Sequence, residues 1–180
     1  MSDLERITTE YVPLEDRIRV SGQISGERTV TMWLTQRMLI LLLPHLFDWL
    51  NNRTKSISKT NSQRDGSLNT IMQTFAQEAA ITDLLGQNQT PVQSSNNNSN
   101  ILIHTIDITA GDSAVRIGFK SESRDEDFRL INLTLEQAPL RQWLHILRSQ
   151  SQKGEWVLKL WPDWICEAEE EKLNPKILAH

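Results

Sequence analysis

The sequence predicts an α+β fold built around an antiparallel sheet. Two stretches, near 16–34 and 101–120, alternate apolar and polar residues on either side of a turn, which is the pattern of a β-hairpin. Other stretches repeat apolar residues at the three- and four-residue spacing of a helix face. Polar segments separate these elements. We therefore expect a single α+β domain over residues 1–180, interrupted by disordered linkers.

Length and composition suit one folded unit inside the cell. A chain of 180 residues can bury one sizeable core without disulfides. Its single cysteine, Cys166, cannot form an intrachain disulfide, so a reducing compartment fits best. The N-terminus lacks the features of a signal peptide, and the uninterrupted apolar run 38–44 is too short to span a bilayer. These features predict a cytoplasmic protein without a membrane span.

The first hairpin, near 16–34, leads directly into a helix. Ile18 and Val20 alternate with polar residues on its first strand, and Val30 and Met32 do so on its second. Thr35 follows the hairpin and is well placed to cap a helix near 36–51, because its hydroxyl can accept a hydrogen bond from a free backbone N–H. Apolar residues surround this helix almost completely, so it needs more than one packing partner.

A second helix, near 68–85, lies between two polar segments. Residues 51–66 and 87–100 contain few apolar side chains that could offset the entropy of ordering them, so we read both as linkers. The helix has one apolar stripe, which consists of Leu68, Ile71, Met72, Phe75 and Ala79. This pattern predicts a tethered amphipathic helix that docks either on its own domain or on another chain.

The second half of the chain continues the α+β pattern. After the hairpin near 101–120, the sequence predicts a strand near 127–133 and a helix near 139–150. A last apolar run predicts a strand near 155–161, and an acidic tail over 165–180 follows it. Both halves therefore run from a hairpin through an apolar strand and a Leu-Thr pair into a helix, which leaves open whether they arose by duplication.

The sequence contains no recognisable catalytic or cofactor-binding motif, so we expect no cofactor. Its seven glycines are scattered and form neither a dinucleotide-binding nor a P-loop pattern. His45 and Asp48 lie one helical turn apart but lack further metal ligands, and the acidic run 125–127 fits a solvated turn. His104 and Asp107 fall on opposite faces of a strand. Cys166 precedes four glutamates, which disfavour a reactive thiolate.

Two groups of residues remain as candidate binding sites. Trp156, Trp161 and Trp164 lie within nine residues and cannot all face one core, so at least one is a candidate for a protein interface. The second group is a candidate anion contact on the polar face of the first hairpin. It consists of Arg17, Arg19 and Arg28.

These observations favour a non-catalytic protein that interacts with another protein or with itself. The alternative is a small-ligand-binding protein or enzyme whose site is assembled from distant residues, which a cavity lined by His, Asp or Arg would favour. A nucleic-acid accessory protein is the second alternative. The net charge of -4 argues against strong binding to nucleic acid.

Overall fold

The structure confirms the α+β class. It is a computed structural model that describes residues 1–24, 28–57, 65–88, 90–93, 99–156 and 159–173. In this part of the chain the elements are β1 (Ser2–Val12), β2 (Arg17–Ile24), β3 (Thr29–Leu34), α1 (Gln36–Ile57), α2 (Asp65–Leu85), β4 (Ser99–Leu102), β5 (Thr105–Ala110), β6 (Ala114–Lys120), β7 (Leu130–Glu136), α3 (Gln137–Lys153) and α4 (Asp163–Leu173). None of these helices is long and apolar enough to cross a membrane.

The strands form one curled sheet in the order β4-β3-β2-β1-β7-β6-β5. The sheet is mixed rather than purely antiparallel, because β1 runs parallel to β7 and β3 runs parallel to β4. Each of these parallel pairs joins a strand from one half of the chain to a strand from the other. The two halves therefore share a single sheet. The first half supplies three strands followed by two helices, and the second supplies four strands followed by two helices.

The first predicted hairpin is confirmed in its register. β2 and β3 pair antiparallel, with Ile18 opposite Leu34 and Val20 opposite Met32. All four side chains are fully buried, as their alternation predicts. Thr35 caps α1 by accepting a hydrogen bond from the backbone N–H of Met38 at 3.3 Å.

The sequence did not reveal β1, which lies between β2 and β7. Its segment SDLERITTEYV lacks apolar alternation, and part of its buried surface is polar. Thr9 is buried and accepts a hydrogen bond from the indole nitrogen of Trp143 at 3.1 Å. A central strand with polar residues gives little periodic signal, although its pairing holds the two halves together.

The second predicted hairpin, 101–120, is divided between the two edges of the sheet. β5 and β6 form the antiparallel hairpin, whereas β4 lies beside β3. The chain changes edges at Ile103 and His104. The N–H of Ile103 donates to the carbonyl of Trp33, and the N–H of His104 donates to the carbonyl of Lys120. This crossing brings the two edges of the curled sheet close to each other.

Parts of the predicted linkers and tail are helical or packed on the domain. Residues 51–57 of the predicted first linker are the last turns of α1, and residues 58–64 lie outside the described residues. In the second predicted linker, the N–H of Val92 donates to the hydroxyl of Thr8 at 2.8 Å. The predicted tail is helical as far as Leu173, within α4. Residues 89, 94–98 and 174–180 of these segments lie outside the described residues.

The expected strand near 155–161 is replaced by turns in the described residues. Gly154 follows the end of α3, and Glu155 adopts a left-handed conformation with φ of 54°. The apolar side chains of this stretch pack on separate elements, since Trp156 contacts Tyr11 and Trp161 contacts Phe47. The apolar residues of this run therefore make two separate contacts with the domain and do not form one strand. Residues 157 and 158 lie outside the described residues.

Asp16 generates a prediction about acid stability. Its carboxylate accepts hydrogen bonds from the indole of Trp156 at 2.8 Å and the hydroxyl of Tyr11 at 2.9 Å, which lower its pKa below the ordinary value of 3.8. Because the folded-state pKa is lowered, the stabilisation is present above that ordinary value and is lost as pH falls through the folded-state pKa.

We expect Asp16→Asn to lower the melting temperature near neutral pH and to match the wild-type protein in strong acid. Asn tolerates the φ of 46° at this position, so the substitution removes charge without backbone strain. Thermal unfolding across a pH series measures the difference. A difference that persists unchanged at the lowest pH would contradict the role of the charged carboxylate.

Candidate protein-docking face

Helix α2 has its polar and apolar faces reversed relative to the usual arrangement. Its buried side includes Gln73 and Gln77, both fully buried. The apolar stripe predicted from the sequence points outward. Its exposed fractions are 54% for Leu68, 47% for Ile71, 42% for Met72 and 65% for Phe75. Half of the exposed large apolar side chains in the described residues lie on α2. We call Leu68, Ile71, Met72 and Phe75 the outer stripe.

Helical geometry explains why burial of one face exposes the other. Successive residues turn by about 100° around a helix axis, so Phe75 lies about 200° from both Gln73 and Gln77. If the two glutamines face the domain, Phe75 must face away from it. Ala80 and Ile81 complete the inner side of α2, each with 2% exposure. The outer stripe is therefore exposed because the domain selects the glutamine face.

A buried arginine on α3 holds the glutamine face of α2 against the domain. Arg141 is 1% exposed, and its guanidinium donates hydrogen bonds to both the side-chain and the backbone oxygen of Gln73. Gln73 in turn donates to the carbonyl of Leu50 at 3.2 Å and to the side chain of Asn51 at 3.1 Å. Gln77 donates to the carbonyl of Arg141 at 3.0 Å. Side-chain amides of α2 thus link α1 to α3.

The charge of Arg141 makes a polar partner necessary. Burial lowers its pKa to about 10, so the side chain is still a cation at neutral pH. Its guanidinium lies 5.2 Å from the ring centroid of Trp164, which supplies an aromatic face. A buried cation requires acceptors, and an apolar helix face would offer none. We therefore regard Arg141, Gln73 and Gln77 as the polar junction that fixes the orientation of α2.

The surroundings of the outer stripe are acidic. α2 contains no Lys or Arg, and the exposed Asp83 follows the stripe along the helix. The neighbouring α4 has the sequence DWICEAEEEKL. Its Glu167 accepts a hydrogen bond from the hydroxyl of Thr74 on α2 at 3.3 Å. The candidate face is thus an apolar strip with Glu167 near one side and Asp83 beyond its end.

The three tryptophans mainly pack within the domain. Trp156 is buried and lies edge-on to Tyr11, with ring centroids 5.7 Å apart. Trp164 is buried, and Trp161 is half-buried; both pack against Phe47. Their participation in an interface stays a prediction, which Trp161 is best placed to fulfil because part of its surface is accessible.

The three candidate arginines each have an acidic neighbour. Their contribution to an anion site stays a prediction, and it would require competition with these carboxylates. Arg17 lies 3.5 Å from Glu15, Arg19 pairs with Glu10, and Arg28 lies 3.0 Å from Asp127.

The acidic run 125–127 makes contacts within the domain. The carboxylate of Asp125 caps the short helix at Glu126–Phe128 by accepting from the N–H of Asp127 at 3.0 Å. Glu126 pairs with Arg129 at 3.5 Å. In the part of the chain that the structure describes, no three His, Cys, Asp or Glu side chains are grouped so that they could hold a metal ion.

A separate cavity of about 930 Å³ lies between α1 and residues 102–110. Arg37, His45 and Asp48 of α1 line it together with His104. These side chains are exposed, which places them at the mouth. Asp107 does not belong to the lining, so His104 and Asp107 do not act as a pair there. The apolar part of the lining includes Leu42, Trp49, Ile103, Ile106 and Ile108.

Comparison with known proteins found no matching family model, no matching curated protein and no matching solved structure. The function of this chain must therefore be inferred from its own residues.

The polar junction can be tested by its contribution to stability. We expect Gln73→Ala to lower the free energy of unfolding by about 2–3 kcal/mol, because it removes the side-chain acceptor of a buried cation. Chemical denaturation measures this value. Gln152→Ala is the matched control, since it makes the same change at an exposed position of α3, and it should change stability by less than about 0.5 kcal/mol. Equal effects of the two substitutions would contradict the role assigned to Gln73.

Proposed function

We propose that this chain is a non-catalytic protein-binding module that docks a partner on the outer stripe of α2. The observation that supports the proposal most strongly is the reversed burial of α2, in which Gln73 and Gln77 are buried while Met72 and Phe75 are exposed. Water-exposed apolar side chains in a continuous strip are unfavourable unless a partner covers them. Their position on a helix that is anchored from its other side makes them available to another chain.

The size of the stripe indicates how strongly it can bind. Its four side chains present on the order of 400 Å² of apolar surface, within the range of about 300–600 Å² for the largest patch on a typical monomer. A stable interface of standard size buries about 800 Å² on each partner. We therefore propose a transient contact rather than a permanent assembly.

The charge around the stripe indicates the chemistry of the partner. An amphipathic helix with apolar residues at intervals of three and four can lie along the stripe, and its Lys or Arg residues would face Glu167 and Asp83. A second copy of α2 fits less well, because it contains no Lys or Arg to face these carboxylates. The proposed partner is thus a basic amphipathic helix of another protein.

Site-specific photo-crosslinking tests the proposal in the native host. A benzoylphenylalanine introduced in place of Phe75 should crosslink to a helical segment rich in Lys and Arg, identified by mass spectrometry. The same crosslink should be lost when Ile71→Lys and Met72→Lys are added, because each places a charge within the apolar contact.

The control carries the same two added charges away from α2, as Ser113→Lys and Gln152→Lys at exposed positions. It should retain the crosslink. Crosslinks to a second copy of the chain would contradict the proposed partner and indicate self-association. Retention of the partner in the Ile71→Lys and Met72→Lys protein would overturn the docking face itself.

A ligand-binding function is the second candidate. It is favoured by the cavity beside α1, whose volume falls within the range of about 300–1,000 Å³ for ligand pockets. Its mouth combines Arg37, His45, Asp48 and His104, contributed by two distant segments of the chain. This cavity and the outer stripe share no residue, so the two functions do not exclude each other.

A further inference from the structure

β5 is an edge strand. On one of its sides, no neighbouring strand in the described residues pairs with its backbone N–H and C=O groups. β5 is last in the sheet and pairs with β6 along one side. The turn after β5 shows which of its residues hydrogen-bond to β6. There the N–H of Gly111 donates to the carbonyl of Ala114 at 3.0 Å, so Gly111 and Ala114 are a hydrogen-bonded pair. Hydrogen-bonded pairs alternate along an antiparallel ladder, so Thr109 and Asp107 also direct their backbone groups toward β6. Ile106, Ile108 and Ala110 consequently direct theirs toward the free edge.

The cavity borders the edge strand. Thr105, Ile106, Ile108 and Ala110 of β5 all line it. The alternate residues Ile106, Ile108 and Ala110 place their side chains on one face of β5, and this face borders the cavity. Proteins usually cover or charge an exposed edge, because unpaired N–H and C=O groups invite another strand. Here the edge borders a cavity of about 930 Å³ instead.

α1 forms the opposite wall of this space. Near the start of α1, the N–H of Ile103 donates to the carbonyl of Trp33. Farther along α1, the indole of Trp49 donates to the carbonyl of Gly111 at 3.1 Å. The segment 103–111 therefore runs beside α1 in the same direction. The result is an elongated groove with a helix on one side and a free strand edge on the other.

We propose that this groove binds an extended peptide, which adds to β5 as a further strand. The peptide would hydrogen-bond to the free backbone groups of Ile106 and Ile108, and every second side chain would lie over the apolar lining near Leu42 and Trp49. This inference goes beyond the helix-docking function of α2, because it uses a different surface and a different form of partner.

The charges at the two ends favour one direction for the peptide. Arg37 and His104 line the end near the start of β5, and Asp48 lines the other end. An acidic residue or carboxylate at the C-terminal end of the peptide would face Arg37 if the peptide ran antiparallel to β5, with a basic residue near Asp48. The antiparallel arrangement is also the commoner form of strand pairing.

An apolar small molecule would occupy the groove less completely. It could cover the side chains of the lining, but it would leave the edge N–H and C=O groups without partners after removing their water. A peptide strand supplies donors and acceptors at the two-residue repeat that the edge presents. The unpaired edge of β5 therefore favours a peptide.

The test uses the full chain and a library of labelled heptapeptides of pattern X-Φ-X-Φ-X-Φ-X, in which Φ is Val, Ile or Leu. We expect members with a basic N-terminal and an acidic C-terminal residue to bind best in fluorescence anisotropy. Methylation of the backbone nitrogens that face β5 should weaken binding at least tenfold, and methylation of the alternate nitrogens should not. Amide resonances of Ile106 and Ile108 should shift and become protected from exchange.

Two substitutions locate the peptide on the protein. Ala110→Pro removes one free edge N–H without breaking the ladder to β6, so it should weaken binding at least tenfold, whereas Ala110→Val keeps the N–H and should not. Leu41→Lys places a charge at an exposed lining position, since Leu41 is 62% exposed, and should also weaken binding. Circular dichroism and thermal unfolding confirm that each variant is folded.

Several results would overturn the proposal. They are the absence of binding by every library member, equal binding of both methylated forms, and equal binding by the Ala110→Pro and Ala110→Val proteins. Binding of an apolar dye in the groove with no peptide binding would assign the cavity to small molecules. Ile71→Lys with Met72→Lys should leave peptide binding unchanged. This result would show that the peptide groove and the α2 docking face can be tested independently.

Discussion

The hydrogen bonds between the buried guanidinium of Arg141 and Gln73 determine which face of α2 the protein presents. A cation held among helices needs oxygen acceptors, and α2 supplies them from its glutamine face. The same glutamine reaches the carbonyl of Leu50 on α1, so a single side chain ties three helices together. The apolar face of α2 is left outside as a direct consequence. This arrangement gives up hydrophobic burial within the domain and creates a surface suited to a partner.

The sheet provides the second proposed binding surface. Its two halves are joined by parallel pairs at β1–β7 and β3–β4, and the segment after β4 crosses from one edge to the other at Ile103 and His104. This crossing leaves β5 as an edge beside α1. The groove beside β5 therefore comes from the way these connections are made, whereas the outer stripe comes from the polar junction.

The sequence predicted those elements whose apolar residues follow a regular period. It predicted the β2–β3 hairpin and helices α1, α2 and α3, because the apolar stripes of these helices and the apolar–polar alternation of these strands extend over many residues. It did not predict β1, where Thr9 is buried in place of an apolar residue, or the parallel pairings, which depend on residues far apart in the chain. The stripe of α2 was visible in the sequence, but its outward direction was not, because nothing local marks Arg141 as buried. A pair of glutamines four residues apart, opposite an apolar stripe, was the only available signal.

The most direct measurement compares the accessibility of the two faces of α2 in the free chain. In a Cys166→Ser background, Phe75→Cys and Ala80→Cys would each be labelled with a thiol reagent under native conditions. Ala80 is 2% exposed and Phe75 is 65% exposed, so we expect rapid labelling at position 75 and strong protection at position 80. Rapid labelling at position 80 with protection at position 75 would show that the apolar face is buried, and would contradict both the polar junction and the docking face.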